Sequence, residues 1–270
     1  LIGSEGTLAV ISEATLLLTP LPAGIVTARI VYRDMVGAAA AVAAIMAQPC
    51  IPRVLEFMDG GSIGLIRGMS ETTLPGAAGA MLLLEVDGTP GAIEEGLTAI
   101  RKAASNGSMI EFRKASDEAE TADLWAARKA LSPALRKIAP KKINEDVAVP
   151  VSRMAEFIGG LEELSASSGI TIVSFGHAGN GNIHVNLLGD PDKPGEQHRM
   201  EACLAEVFSR DLALGGTLSG EHGIGHEKRP FVAMEIEPET LALMRRIKSQ
   251  FDPAGILNPG KSLPDPQPST

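Results

Sequence analysis

The stretch Phe175-Gly176-His177-Ala178-Gly179-Asn180-Gly181-Asn182-Ile183-His184-Val185-Asn186 sets two histidines on either side of Asn-Gly, the strongest two-residue hairpin signal. With Asn180 and Gly181 as the loop, counting outward pairs Gly179 with Asn182, Ala178 with Ile183, and His177 with His184. Directly opposed residues share a face with Cβ atoms roughly 4.5–5.5 Å apart, so these two imidazoles could ligate one metal ion. Asn186, two residues beyond His184, points to the same face. A third ligand has to come from another segment. The alternative is a hydrogen-bonded histidine pair that braces the hairpin.

A second cluster, Gly215-Gly216-Thr217-Leu218-Ser219-Gly220-Glu221-His222-Gly223-Ile224-Gly225-His226, sets Glu and His side by side in a glycine-dense loop. Glu221 could complete a His-His-Glu set and a neutral His222 could act as general base; a helix cap and turn with solvated side chains is the competing reading. Arg128 follows the single Trp, Trp125, on an expected helix whose face offers it no acid. Its partner is therefore either a carboxylate from another segment or a substrate carboxylate. Lys141-Lys142-Ile143-Asn144-Glu145-Asp146 reads as a solvated charge cluster before an extended segment, and His198 as a surface residue.

The elements that must position these groups follow from pattern. Thr7 to Leu18 reads as a strand stopped by Thr19-Pro20-Leu21-Pro22. Ile25–Tyr32, Val54–Met58, Ala80–Val86, Met109–Arg113, Val147–Val149, Ile170–Gly176 and Ile183–Leu188 are expected strands. Helices are expected over Asp34–Gln48, Pro90–Ser105, Ser116–Ser132 with Pro133 breaking or kinking the last turn, Ser152–Ser168, Glu196–Leu214 and Pro238–Phe251. Mixed order with a hairpin and two loose β-α-β units predicts an α+β fold, a large and mainly antiparallel sheet flanked by helices.

Composition narrows the partners. The 270 residues carry a net charge of -9 and no basic run, which argues against nucleic acid. No apolar run approaches the roughly 20 residues of a membrane span. Cys50 and Cys203 lack any knuckle spacing, so a reducing compartment is expected, and no dinucleotide or Walker A fingerprint occurs.

Four ordered stretches then converge: GSEGTLAVISEATL at 3–16, GHAGNGNIHVN at 176–186, GGTLSGEHGIGHEK at 215–228 and FDPAGILNPGK at 251–261. Together they resemble the FAD-linked oxidases of the vanillyl-alcohol-oxidase type, in particular the group of D-lactate dehydrogenase (cytochrome), glycolate oxidase D-subunit and D-2-hydroxyglutarate dehydrogenase. The resemblance implies that 1–22 is the edge of a FAD-binding domain that is otherwise absent, 23–250 a substrate or cap domain, and 251–270 a segment returning to the flavin. The missing initiator Met agrees with a chain that begins inside a longer protein.

It further implies that His177, His184 and Glu221 hold a divalent metal (zinc, manganese or iron) and that His222 is the base. Arg128, Asn186 and Lys142 would contact substrate, with Lys141 fitting nearly as well as Lys142. Gly6 and Thr7 would lie near FAD, and Asn258 would approach its ring. The family often has Asp where Asn180 stands, a change a turn tolerates. The activity implied is oxidation of a D-2-hydroxy acid of the lactate, glycolate or 2-hydroxyglutarate class, with electrons passed to a cytochrome, quinone, flavoprotein or iron-sulfur partner. A cytoplasmic protein, with membrane association through that partner and a homodimer as default assembly, completes the expectation. A free-standing His-His-Glu metal hydrolase and a non-catalytic binding module are the readings it competes with.

Overall fold

The computed structural model describes residues 1–67 and 73–265. One seven-stranded sheet runs in the order β4-β1-β3-β2-β6-β7-β5, where β1 is Gly24–Tyr32, β2 Val54–Asp59, β3 Ala80–Gly88, β4 Met109–Lys114, β5 Lys141–Ala148, β6 Thr171–His177 and β7 Asn182–Gly189. Every pairing is antiparallel. The two β-α-β units are therefore split ones: β1 and β2 both flank β3, and the helix between them crosses one face.

That face is covered by α1 (Met35–Met46), α3 (Pro90–Ala104), α5 (Met154–Ser168) and α6 (Glu196–Ala213). The alanines of α1 let it sit close on Tyr32, Phe57 and Leu82, which are fully buried. The other face carries α2 (Gly60–Ile66) and α4 (Glu118–Ile138), which bury Ile63, Leu124, Leu131 and Leu135 against Val31, Met58, Leu83 and Phe175. The chain closes with the short α7 (Val232–Glu235) and with α8 (Pro238–Phe251). No helix among the described residues is long and apolar enough to cross a membrane.

Four expectations are corrected. Thr7–Leu18 forms no strand: Val10, Leu16, Leu17 and Leu18 are exposed, because β-favouring side chains make a strand only beside a hydrogen-bonding partner, and no described residue pairs with them. Pro133 does not end its helix; α4 runs on to Ile138 because Leu131, Ala134 and Leu135 are buried on both sides of it, and packing outweighs the one backbone bond lost. Lys141–Asp146 is not a solvated cluster but most of edge strand β5, with Asp146 fully buried.

The fourth is the hairpin register. Ala178–Asn180 make a single 3-10 turn and Gly181 takes φ 75°, so four residues form the connection rather than two. His177 therefore pairs with Asn182, and Phe175 with His184. A shift of two residues keeps each side chain on its face, where a shift of one would have reversed it. Gly181 is required: a Cβ there would lie 1.9 Å from the Val149 carbonyl oxygen.

Asp211, on the last turn of α6, is fully buried and neither carboxylate oxygen has a hydrogen-bond partner among the described residues. Burial pushes its pKa from 3.8 up to about 8, with Glu235 adding to the rise and Lys228 opposing it. The folded state thus holds a proton that the unfolded state releases, so the stability from this group is complete below its ordinary pKa of 3.8 and is lost as pH rises to about 8. Thermal melts of wild type and Asp211→Asn across this window should separate with rising pH, the variant becoming the more stable. Parallel curves would mean the carboxyl does not titrate there.

Candidate active site

Strand alternation lines up Glu56, His177, His184 and Asn186 on the α4 side of the sheet, and the β5 partners of the last two, Asp146 and Asn144, share it. His177 Nε2 lies 3.3 Å and His184 Nε2 3.5 Å from Glu221 Oε1. One ligand atom from each of these three residues falls within 4.8 Å of the others, the compactness a His-His-carboxylate metal site needs. His177 directs Nε2 inward because its Nδ1 is engaged by Glu56 Oε1. Zinc, manganese and iron all accept this donor set.

The two rings are driven apart in basicity. His177 is raised, chiefly by its hydrogen bond to Glu56. His184 is lowered to about 4 by burial and by the neighbouring His177, Arg128 and His222, which favours the neutral ring a metal requires. Burial alone would raise Glu56, but the His177 hydrogen bond and Arg128 outweigh it and hold it below the usual carboxylate range.

Glu221 and His222 arrive on the loop after α6. Thr217 bridges to Ala148 at the end of β5, and Gly220 passes so close that a Cβ would meet the Asn182 side chain at 2.6 Å. The Asp146 carboxylate accepts from the Glu221 and His222 amides and from Lys228 Nζ. Farther along, Glu5 accepts from the Ile224 and Gly225 amides at 2.8 and 2.7 Å. Acids from two distant segments thus fix the loop. His222 stacks on His184, ring centroids 5.2 Å apart and planes 18° off parallel, with Nδ1 3.5 Å from Asp146 Oδ1.

Arg128 lies across the same face. Its partner is Glu56, with Nε and Nη2 donating to Oε2 at 2.9 and 2.7 Å, and its guanidinium sits 4.6 Å above the Phe175 ring. Arginine has five N–H donors, so these bonds leave capacity for a ligand carboxylate. Lys142 donates to Ser132 Oγ at 2.8 Å, one turn along α4 from Arg128, and burial followed by Arg136 lowers its pKa. Lys141 turns away to Gln197, which separates the two lysines. Asn186 is fully buried; its Nδ2 donates to the Val173 and His184 carbonyls, and its Oδ1 has no partner.

The other expected residues gather at the rim. Asn258 Nδ2 donates to the Glu5 carbonyl, and a Cβ on Gly6 would lie 3.9 Å from Asn258, so the first and last motifs meet. Thr7 uses its hydroxyl within the turn, on the Ser4 carbonyl at 2.6 Å. A cavity of about 530 Å³ opens beside them, lined by Glu5, Leu218, Glu221, Ile224, Met244 and Ile247. Glu56, Asp146, Lys228 and Glu5 were not anticipated from sequence. The available signals were an acid inside the apolar strand pattern VLEFM, an acid directly before the extended Val147–Val149 and an acid in the GSEGTL stretch.

Residues 21–262 match the family described as FAD linked oxidases, C-terminal domain. The chain is 36% identical over 260 residues to glycolate oxidase subunit GlcD of Bacillus subtilis, covering 96% of this chain and 55% of that protein. It is 34% identical over 272 residues to D-lactate dehydrogenase of Anaerostipes hadrus, covering 97% and 57%. It therefore spans about half the length of the curated relatives it matches. Among solved structures, p-cresol methylhydroxylase shares the fold with a TM-score of 0.69 at 17% identity, covering 91% of this chain and 54% of that one. A 4-ethylphenol oxidase from Gulosibacter chungangensis gives 0.67 at 17%, covering 92% and 55%.

Proposed function

Because the chain belongs to the FAD linked oxidase C-terminal domain family, we propose that it forms the substrate side of an FAD-dependent dehydrogenase that oxidises a D-2-hydroxy acid to the 2-oxo acid. The observation carrying this reading is the convergence of His177, His184 and Glu221 beside Arg128, an anion anchor next to a metal-ligand set. In this reading residues 23–250 are the cap, while 1–22 and 251–270 border the flavin.

His177, His184 and Glu221 would hold the divalent metal, and Gly6, Thr7 and Asn258 would face FAD; the meeting of Glu5, Gly6 and Asn258 supports a shared rim. When bound, the metal supplies a Lewis acid that acidifies the substrate hydroxyl, and the flavin supplies the two-electron acceptor. Arg128 anchors the substrate carboxylate, with Lys142 and the open Oδ1 of Asn186 as further polar contacts. His222 takes the hydroxyl proton, its ring held by Asp146 and by stacking on His184. A separate electron acceptor, a protein or a quinone, would be the partner of such an enzyme.

The test is expression of the full-length protein carrying this chain. Its visible spectrum should show bound flavin that bleaches anaerobically with D-lactate, glycolate or D-2-hydroxyglutarate. A protein without flavin, or with flavin that none of these acids reduces, would remove this reading.

A further inference from the structure

Glu56 is 5% exposed, and it lies in β2 at the pairing with β6 that joins the four-strand and three-strand parts of the sheet. Both its oxygens are committed. Oε1 faces His177 Nδ1, and Oε2 takes two N–H groups of Arg128. The two residues it holds have unlike tasks under the function proposed above: one binds metal, the other the substrate carboxylate. We infer that Glu56 is a positioning residue shared by both halves of the site, so that metal affinity and hydroxy-acid affinity depend on one buried carboxylate.

The donor and acceptor inventory explains why a glutamine cannot serve in its place. A glutamine at this position has one acceptor oxygen and one donor NH₂. Turned so that its oxygen serves Arg128, it sets NH₂ against His177 Nδ1. That favours the tautomer with hydrogen on Nε2, which has no lone pair for a metal. Turned the other way, it sets NH₂ against the guanidinium and frees Arg128 from its place above Phe175. Either orientation damages one task, and a mixture damages both.

Charge alone predicts the opposite sign for one of them. Removing a carboxylate beside Arg128 strengthens its pull on an anion by Coulomb's law. A purely electrostatic Glu56 would therefore make Glu56→Gln bind the hydroxy acid more tightly, whereas a positioning Glu56 makes it bind more weakly.

The experiment uses the full-length flavoprotein, wild type beside Glu56→Gln. Zn²⁺ affinity is read by competition with a chromophoric chelator, and the dissociation constant of D-lactate or glycolate by anaerobic stopped-flow reduction of the flavin. Expected are a loss of Zn²⁺ affinity of about 10- to 100-fold, the range for losing the hydrogen-bond partner of a metal-bound histidine. The hydroxy-acid dissociation constant should rise about tenfold, with flavin content unchanged. Arg128→Lys should weaken hydroxy-acid binding and leave Zn²⁺ affinity within about threefold. If Glu56→Gln folds poorly, Glu56→Asp, which keeps the charge but shortens the reach, carries the same paired expectation.

Unchanged Zn²⁺ affinity, or hydroxy-acid binding that is unchanged or tighter, overturns the inference while leaving the proposed function standing. A wild-type protein that neither binds Zn²⁺ nor is reduced by D-lactate, glycolate or D-2-hydroxyglutarate overturns both.

Discussion

Replacing Asp146 with alanine is expected to destabilise the fold by about 3 kcal/mol, the lower end of what removing one partner of a buried ion pair costs. Lys228 is 3% exposed and would lose both carboxylate charge and hydrogen bond, and the Glu221 and His222 amides would lose their acceptor. Glu145, 3.7 Å from Lys228 Nζ, moderates the loss because the ammonium is not left alone. Urea denaturation would report it as a lower midpoint with an unchanged slope. The double variant Asp146→Ala, Lys228→Met should recover part of the stability, since it leaves no buried ammonium without a carboxylate, although Glu145 loses its cation. An unaltered midpoint in the single variant would show the pair contributes nothing.

The second large effect falls on rate. His222→Ala in the full-length protein is expected to slow flavin reduction by about 10²- to 10⁴-fold, the usual worth of a general base, while metal content stays at the wild-type level. His184→Ala should slow it as well, but by losing the metal, because one of the three proposed ligands is gone. Elemental analysis beside anaerobic reduction separates the two. Full metal content in His184→Ala would remove that residue from the ligand set, and an unslowed His222→Ala would remove the base.

How much of this was legible in the sequence varies with the kind of signal. The six longer helices and the inner strands were readable because burial imposes a period, and the fold class followed from their order; the short α2 and α7 were not read. The histidine pair survived a wrong register because the added turn residues shifted β6 against β7 by an even number. Had Ala178–Asn180 taken up one residue more or fewer, His177 would point to the opposite face. The strand expected over 7–18 failed because pairing is a tertiary property that no local pattern contains.

Glu56 and Asp146 escaped notice for another reason. Glu56 is an acid inside an apolar strand, VLEFMD, and Asp146 the last member of a charge cluster, KKINED, and neither stretch says what stands opposite. Their partners come from 72 and 121 residues away for Glu56, and from 75 to 82 for Asp146. Reading Arg128 did establish that its helix offered no acid. Which segment supplied one became visible only once β2 was seen under α4.

The loop that carries Glu221 and His222 owes its shape to groups that are not its own. Asp146 holds it from one side and Glu5 from the other, both through backbone amides, which every residue type except proline presents alike. Side-chain identity at 221 and 222 is therefore uncoupled from the path of the chain beneath it. Under the proposed function the loop would work as a socket: exchanging Glu221 for aspartate or histidine should change the metal preference while the mounting stays as it is.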